Sequence, residues 1–209
     1  MGENEQSGLL RNVVVVGIIA MVALVVIFAV VGLTTTSKSS ISDSLIMVDK
    51  LNGTDDYDKS EFKYTLNDTD HTASVDGYKD INATVDPDLT IYKKVYKGKQ
   101  AYTVTSIGRL SFWKLPITSV TIPDTIKVIG DDAFYNDKLT SVTIPDSVTS
   151  IGVAAFQGNK LTSATMSMNV KSYPGGAFYY NPLKEVTVAK GAVLNETAFD
   201  PTTSVKYAE

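Results

Sequence analysis

The stretch Leu139–Lys160 reads LTSVTIPDSVTSIGVAAFQGNK, and the chain repeats itself on both sides of it. Ile117–Lys138 reads ITSVTIPDTIKVIGDDAFYNDK and Leu161–Pro182 reads LTSATMSMNVKSYPGGAFYYNP, each again 22 residues long. A fourth copy opens at Leu183 and reaches Ala198-Phe199 with one residue deleted. A degenerate earlier copy keeps Val104, Ile107-Gly108 and Phe112 in the same phase. A period held through five units marks an architecture of stacked repeats.

Apolar residues recur at positions 1, 4, 6, 10, 13, 17 and 18 of the unit, which in this copy are Leu139, Val142, Ile144, Val148, Ile151, Ala155 and Phe156. Val142-Thr-Ile144 alternates like a short strand, and Pro145-Asp146 ends it. Val148–Ile151 predicts a second extended run, turned by Gly152, after which the Ala-Phe pair carries a ring into the interior. Burying six such side chains stabilises one unit by on the order of 10 kcal/mol. Ordering 22 backbones costs about 1–2 kcal/mol apiece, so a unit cannot fold alone. Neighbours must bury one another's faces and extend β ladders, which makes a solenoid.

The pattern L-T-S-V-T-I-P-x-S-V-T-S-I-G-x-x-A-F resembles the BspA-type leucine-rich repeats, a family of surface proteins. The resemblance runs from about residue 60 to 209. It takes in a β-hairpin signature over Phe62–Leu66 and Ala73–Val75, and the entry segment Ala101–Gly108. It implies a mainly β leucine-rich-repeat solenoid and a role in adhesion; an enzyme is not expected, because no acid–base pair is tied to a pocket and small coils enclose no deep cavity. Ser167 and Ala189 replace the strand-ending proline, and Tyr173-Pro174 replaces Ile-Gly, so the last two units should be less regular. Val205–Tyr207 is expected to add a final strand.

Carried onto this chain, the exposed strand positions are 3 and 5 of each unit: Ser119 and Thr121, Ser141 and Thr143, Ser163 and Thr165, Glu185 and Thr187. A ladder of hydroxyls can hydrogen-bond a glycan or a protein edge; threonine also simply favours strands. Trp113, Tyr135, Tyr179 and Tyr180 near the turn after the phenylalanine are the candidate aromatic anchors, with packing between coils as the competing role.

Upstream, residues 13–33 read VVVVGIIAMVALVVIFAVVGL, 21 residues without a charge. A helix of that length spans roughly 30 Å, the thickness of a bilayer's hydrocarbon core. A lone segment in lipid must satisfy its backbone internally, so the expectation is one transmembrane helix. It is too long for the apolar part of a cleaved signal peptide, and the first ten residues carry Glu3 and Glu5 but no Lys or Arg. Arg11 and Lys38 flank it almost symmetrically, so charge gives little orientation. The expected arrangement is a single pass through the cell membrane with the C-terminal part outside, held by membrane lipid around residues 13–33. The alternative is a pilin-like subunit that polymerises through the same helix into a filament, although the basic leader of such proteins is missing.

The expected organisation is a polar tail over 1–12, the membrane helix over 13–33, a Ser/Thr linker over 34–44, an acidic β-rich entry region over 45–102 and the solenoid over 103–209. Asp68-x-Asp70-x-Thr72 looks like the start of a calcium loop, but an EF-hand would need Gly and Glu where Ala73 and Lys79 stand. A turn rich in Asp and Asn accounts for it. Lys93, Lys94, Lys97 and Lys99 read as a solubilising edge around a hairpin turn.

The chain has no cysteine and one histidine, His71, which excludes disulfide scaffolds, thiolate chemistry and most nucleophile–histidine triads. A formal net charge of −4 argues against nucleic acid as a partner. No cofactor is implied, and the reading is a membrane-anchored adhesion module that binds protein or glycan. N-x-T sequons stand at Asn52, Asn67, Asn82 and Asn195, where glycosylation would agree with an outward-facing domain.

Overall fold

The computed structural model describes residues 54–57, 60–80 and 83–209. The predicted membrane segment and the Ser/Thr linker lie outside the described residues, as do Asn52 and Asn82. Among the described residues there is no helix, and none that could cross a membrane. The unit that begins at Asp49 is built from strands and turns.

Its first part is a small mixed sheet. β1 (Thr54–Asp56), β2 (Phe62–Asn67), β3 (Thr72–Tyr78), β5 (Lys94–Lys97) and β6 (Gln100–Ile107) stand in the order β1-β5-β6-β3-β2. β2 and β3 form the expected antiparallel hairpin. Its turn uses the acidic residues for local bonds: Asp70 Oδ1 accepts from the Thr72 amide at 3.1 Å and its hydroxyl at 2.7 Å. Asp68 accepts from the Tyr102 hydroxyl at 2.5 Å. Among the described residues no three metal-ligating side chains gather. β5 and β6 form the second hairpin, turned at Gly98 (φ 60°), where the four lysines were expected to flank a turn. Asp55 accepts from the hydroxyls of Ser60 and Tyr64 beneath this sheet, and burial pushes both Asp55 and Tyr64 upward.

The repeats then stack as parallel coils with three hydrogen-bonded sides. The first side holds β4 (Asp88–Thr90), β7 (Ser119–Thr121), β9 (Ser141–Thr143), β11 (Ser163–Thr165), β13 (Glu185–Val188) and β15 (Ser204–Tyr207). β4 pairs with β7, β9 with β11 and β13 with β15, all parallel. Between these pairs the backbone contact continues, as in the Thr140 amide donating to the Thr118 carbonyl at 3.2 Å. β15 is the final strand expected from Val205–Tyr207. The ladder begins inside the entry region, at β4.

The second side carries β6, β8 (Val128–Ile129) and β10 (Ser150–Ile151) in one parallel run, then β12 (Ser172–Tyr173) with β14 (Val193–Leu194). The run breaks between β10 and β12, where Tyr173-Pro174 replaces Ile-Gly. A Cβ on Gly130 would stand 2.8 Å from the Arg109 nitrogen, and one on Gly152 would stand 2.4 Å from the Asp131 nitrogen. Coils approach closely at these glycines, whose amides donate to the Ile107 and Ile129 carbonyls at 2.8 Å, and Pro174 has no amide to continue the row. The missing proline at Ser167 is compensated: its buried hydroxyl donates to the Val148 carbonyl at 2.7 Å and accepts from the Asn169 amide at 3.1 Å.

The third side is the turn around the Ala-Phe pair. Alternate amides donate to the next coil, as in Leu110 to Asp131, Phe112 to Ala133 and Lys114 to Tyr135, and the pattern recurs 22 residues later. It needs left-handed backbone at Leu110, Asp132, Ala154 and Gly176, and again at Lys114, Asn136, Gly158 and Tyr180. Only two of these eight are glycine, so the neighbouring coils hold non-glycine residues in a conformation costing about 1–2 kcal/mol each.

The interior is filled as the period requires. All seven apolar positions of the Leu139 unit are buried. Phe112, Phe134, Phe156, Phe178 and Phe199 form one column with successive ring centroids 5.5, 5.1, 5.0 and 5.4 Å apart and nearly parallel planes. Phe62 from the hairpin closes the column edge-on against Phe112 at 5.9 Å. Beside it runs a polar ladder. Asn159 Nδ2 donates to the carbonyls of Phe134 (2.7 Å) and Phe156 (3.1 Å), while its oxygen accepts from the Leu139 amide. One coil on, Asn181 repeats this with Phe156, Phe178 and the Leu161 amide.

Candidate binding face

Side chains on a strand alternate between faces. In Ser141-Val142-Thr143 the valine is buried and the two flanking hydroxyls are exposed; β7, β11 and β13 alternate the same way, with Val120 and Ala164 half-buried, Val186 buried and Glu185 in place of one hydroxyl. All eight predicted residues, Ser119, Thr121, Ser141, Thr143, Ser163, Thr165, Glu185 and Thr187, are exposed. Strand pairing sets Thr143 beside Thr165 and Ser141 beside Ser163, so the residues form ranks across the coils.

The ends of the face are charged and internally paired. Ser119 donates to Asp88 at 2.7 Å, and Glu185 forms a 2.7 Å salt bridge with Lys206. The six residues between have no side-chain hydrogen bond among the described residues. Their hydroxyls are free to donate and accept, and the inward side of the same strands, with Val142 and Val186 buried and Ala164 half-buried, holds the backbone in place. Chemically this is a neutral hydrogen-bonding surface.

Two extensions were not read from the sequence. Thr90 stands in register with Thr121 and lengthens the threonine rank by one, and Lys206 stands in register with Thr187 at the other end. Leu89-Thr90-Ile91 carries the same V-T-I signal as the repeats. The absence of an Ala-Phe turn in that segment hid it.

The aromatic candidates lie elsewhere, on the turn side. Trp113 is 43% exposed with Lys114 Nζ 4.3 Å from its ring centroid. Tyr180 is 63% exposed and its ring lies 4.4 Å from that of the half-buried Tyr179. Tyr135 is half-buried, and Gln157 interrupts the row between it and Tyr179. The fold thus assigns hydroxyls and aromatics to different sides of each coil. His71 sits exposed in the β2–β3 turn with its ring 5.9 Å from Tyr102. Of the sequons, Asn67 and Asn195 are exposed, each with its side-chain oxygen accepting from the amide two residues on.

These parallel coils of short strands, with an aromatic column and an amide ladder inside, define a leucine-rich-repeat solenoid. Residues 95–207, more than half of the chain, match the BspA-type leucine-rich repeat region in six copies. The chain belongs to that family. Among solved structures it is similar to a leucine-rich repeat protein from Bacteroides ovatus, at 28% identity and a TM-score of 0.57 over 71% of this chain and 39% of that one. It is also similar in fold to the pneumococcal vaccine antigen PcpA, at 22% identity and a TM-score of 0.52 over 72% of this chain and 49% of that one. The chain therefore spans two fifths to one half of the length of these neighbours. No curated protein matches it.

Proposed function

We propose that this chain is a membrane-anchored binding module of the cell surface, holding its solenoid away from the lipid on the Ser/Thr linker and engaging a protein or glycan through the strand side. The observation that carries this reading is the run of exposed, unpaired hydroxyls from Thr121 to Thr187, laid in register on a backbone that three ladders make rigid. A rigid array loses little conformational entropy when it binds, which favours recognition of an extended partner by many weak bonds. The charge-free segment over 13–33 supports the anchor, and a single transmembrane helix there leaves the solenoid on the far side of a flexible tether.

Surface biotinylation and protease shaving of intact cells test the placement: the solenoid should be labelled and released, with residues 13–33 retained in the membrane fraction. Glycan and matrix-protein arrays probed with the full chain in detergent test the binding. N-terminal sequencing and negative-stain microscopy separate this reading from a filament subunit, since a processed start together with regular fibres would replace it.

A further inference from the structure

The amide ladder beside the phenylalanine column is interrupted at one coil. Position 21 of the unit is Asn159 and Asn181 in two successive coils, and Asp137 in the coil before them. Asp137 is buried as deeply as the two asparagines. One of its oxygens accepts from the Leu115 amide at 2.7 Å, and the other, Oδ2, is buried with no partner among the described residues. Asn159 donates to the carbonyls 25 and 3 residues before it. The same register places the carbonyls of Phe112 and Phe134 before Asp137. Phe112 is the one member of the first four in the column whose carbonyl receives no ladder amide.

A carboxylate in that position would set a bare negative charge against carbonyl oxygens in a site that water does not reach, which is far costlier than a neutral group. A carboxylic acid there has one oxygen to accept and one O–H to donate, so it can supply one of the two donors that the asparagine amide offers. We propose that Asp137 is held in the folded chain as the neutral acid and takes the place of a ladder asparagine, donating toward the Phe112 end of the column, so that the joint between the degenerate coil that holds Phe112 and the first full coil weakens as pH rises. The proton leaves to solvent when the group ionises, and a second acceptor then stands where the ladder needs a donor.

No neighbouring charge opposes this. From the preceding turn come Arg109 and Lys114, from its own turn Asp131, Asp132, Tyr135 and Lys138, and from the next coil Lys160. Lys114 lies over the Trp113 ring, Asp131 accepts from the Val153 amide, and none of the seven pairs with Asp137. Burial pushes the group up to about 8, and the Leu115 amide opposes that only in part.

The sign follows from the proton balance. The unfolded chain ionises this group near 3.8 and the folded chain near 8, so between those values the folded state holds one proton more. The stabilisation is complete below about pH 4, declines through the window and is gone above about pH 8. Each pH unit within it changes the folding equilibrium by about tenfold relative to a variant lacking the group.

Urea denaturation of the full chain in detergent, wild type against Asp137→Asn, from pH 4 to pH 10, tests this. The expected result is a difference that grows in favour of the variant between pH 4 and pH 8 and is constant beyond; parallel curves would overturn the proposal. Asn159→Asp should create a second such slope. Infrared difference spectra of folded protein give an independent reading. The carbonyl stretch of a protonated carboxyl group should be present at pH 6 in wild type and lose intensity in Asp137→Asn. If the variant fails to fold, the same band is sought in Asp55→Asn, which removes the half-buried carboxyl that burial also pushes up. No band at pH 6 in that background would show Asp137 ionised and end the proposal.

Discussion

The ring of Phe156 lies 5.0 Å from that of Phe178, with the two planes within 11° of parallel, and Phe134 stands 5.1 Å away on its other face. Both faces of the ring are therefore covered by neighbouring coils, and its loss leaves a cavity that neither neighbour can fill without leaving its own ladder. Phe156→Ala should cost about 3–5 kcal/mol. Phe199→Ala should cost less, because that ring ends the column and is 6% exposed. Urea midpoints at unchanged slope would report both values, and equal losses at the two positions would show that the column is not the source of the stability.

Glycine is required for two distinct reasons in this fold. Gly152 has ordinary backbone angles, but a Cβ there would stand 2.4 Å from the Asp131 nitrogen and 2.6 Å from the Gly130 carbonyl carbon. Gly98 has φ +60° and nothing within 4 Å of where its Cβ would be. Gly152→Asn should force the coils apart at a cost of about 1–3 kcal/mol or more. Gly98→Asn should be close to neutral, because asparagine tolerates left-handed backbone. Thermal melting of the two variants checks the contrast.

The solenoid was legible because its signal is redundant: Leu139, Val142, Ile144, Val148, Ile151 and Phe156 recur in phase, and one misread residue does not move the period. Both hairpins and the closing strand were legible from alternation and from Gly98. The third ladder was not. Half of its left-handed positions are filled by Leu110, Lys114, Ala154 and Tyr180, none of which announces such backbone; tertiary hydrogen bonds impose it. The strand face was read correctly in its exposed residues, since alternation fixes which side chains point outward. The separation of Trp113 and Tyr180 from that face depends on where the chain turns in space, and a linear pattern carries no such information. The role of Asp137 was hidden because an Asp-Lys pair before a leucine looks like an ordinary turn.

Because the strand side and the turn side join successive coils through equivalent atoms, removing one whole period should let those contacts re-form, the second side being interrupted at Pro174 as it already is. Deletion of residues 139–160 joins Lys138 to Leu161 in phase. The shortened chain should keep its β content per residue and melt at a lower temperature, having lost one coil and one interface. Deletion of residues 139–149 moves Phe156 out of the column and should abolish cooperative melting. Far-ultraviolet circular dichroism during a thermal scan distinguishes the two, and similar melting of both deletions would contradict a register-dependent stack.

The strand side and the turn side offer different chemistry, so variants can decide which one binds. Thr143 and Thr165 are adjacent, exposed and without partners, and a lysine at either reaches solvent without disturbing Val142 or Ala164. Thr143→Lys with Thr165→Lys should change stability by less than about 0.5 kcal/mol, as surface substitutions do. On the strand side, the pair introduces two charges into a neutral hydrogen-bonding surface, and binding to whatever partner the array identifies should fall by tenfold or more. Trp113→Ala removes the largest exposed ring of the turn side and should leave that binding within about twofold, whereas an anchor ring in a binding core costs roughly 2 kcal/mol or more. Titration of the partner against the three proteins by interferometry reads the outcome, and a large loss confined to Trp113→Ala would move the binding site from the hydroxyl ranks to the aromatic turn.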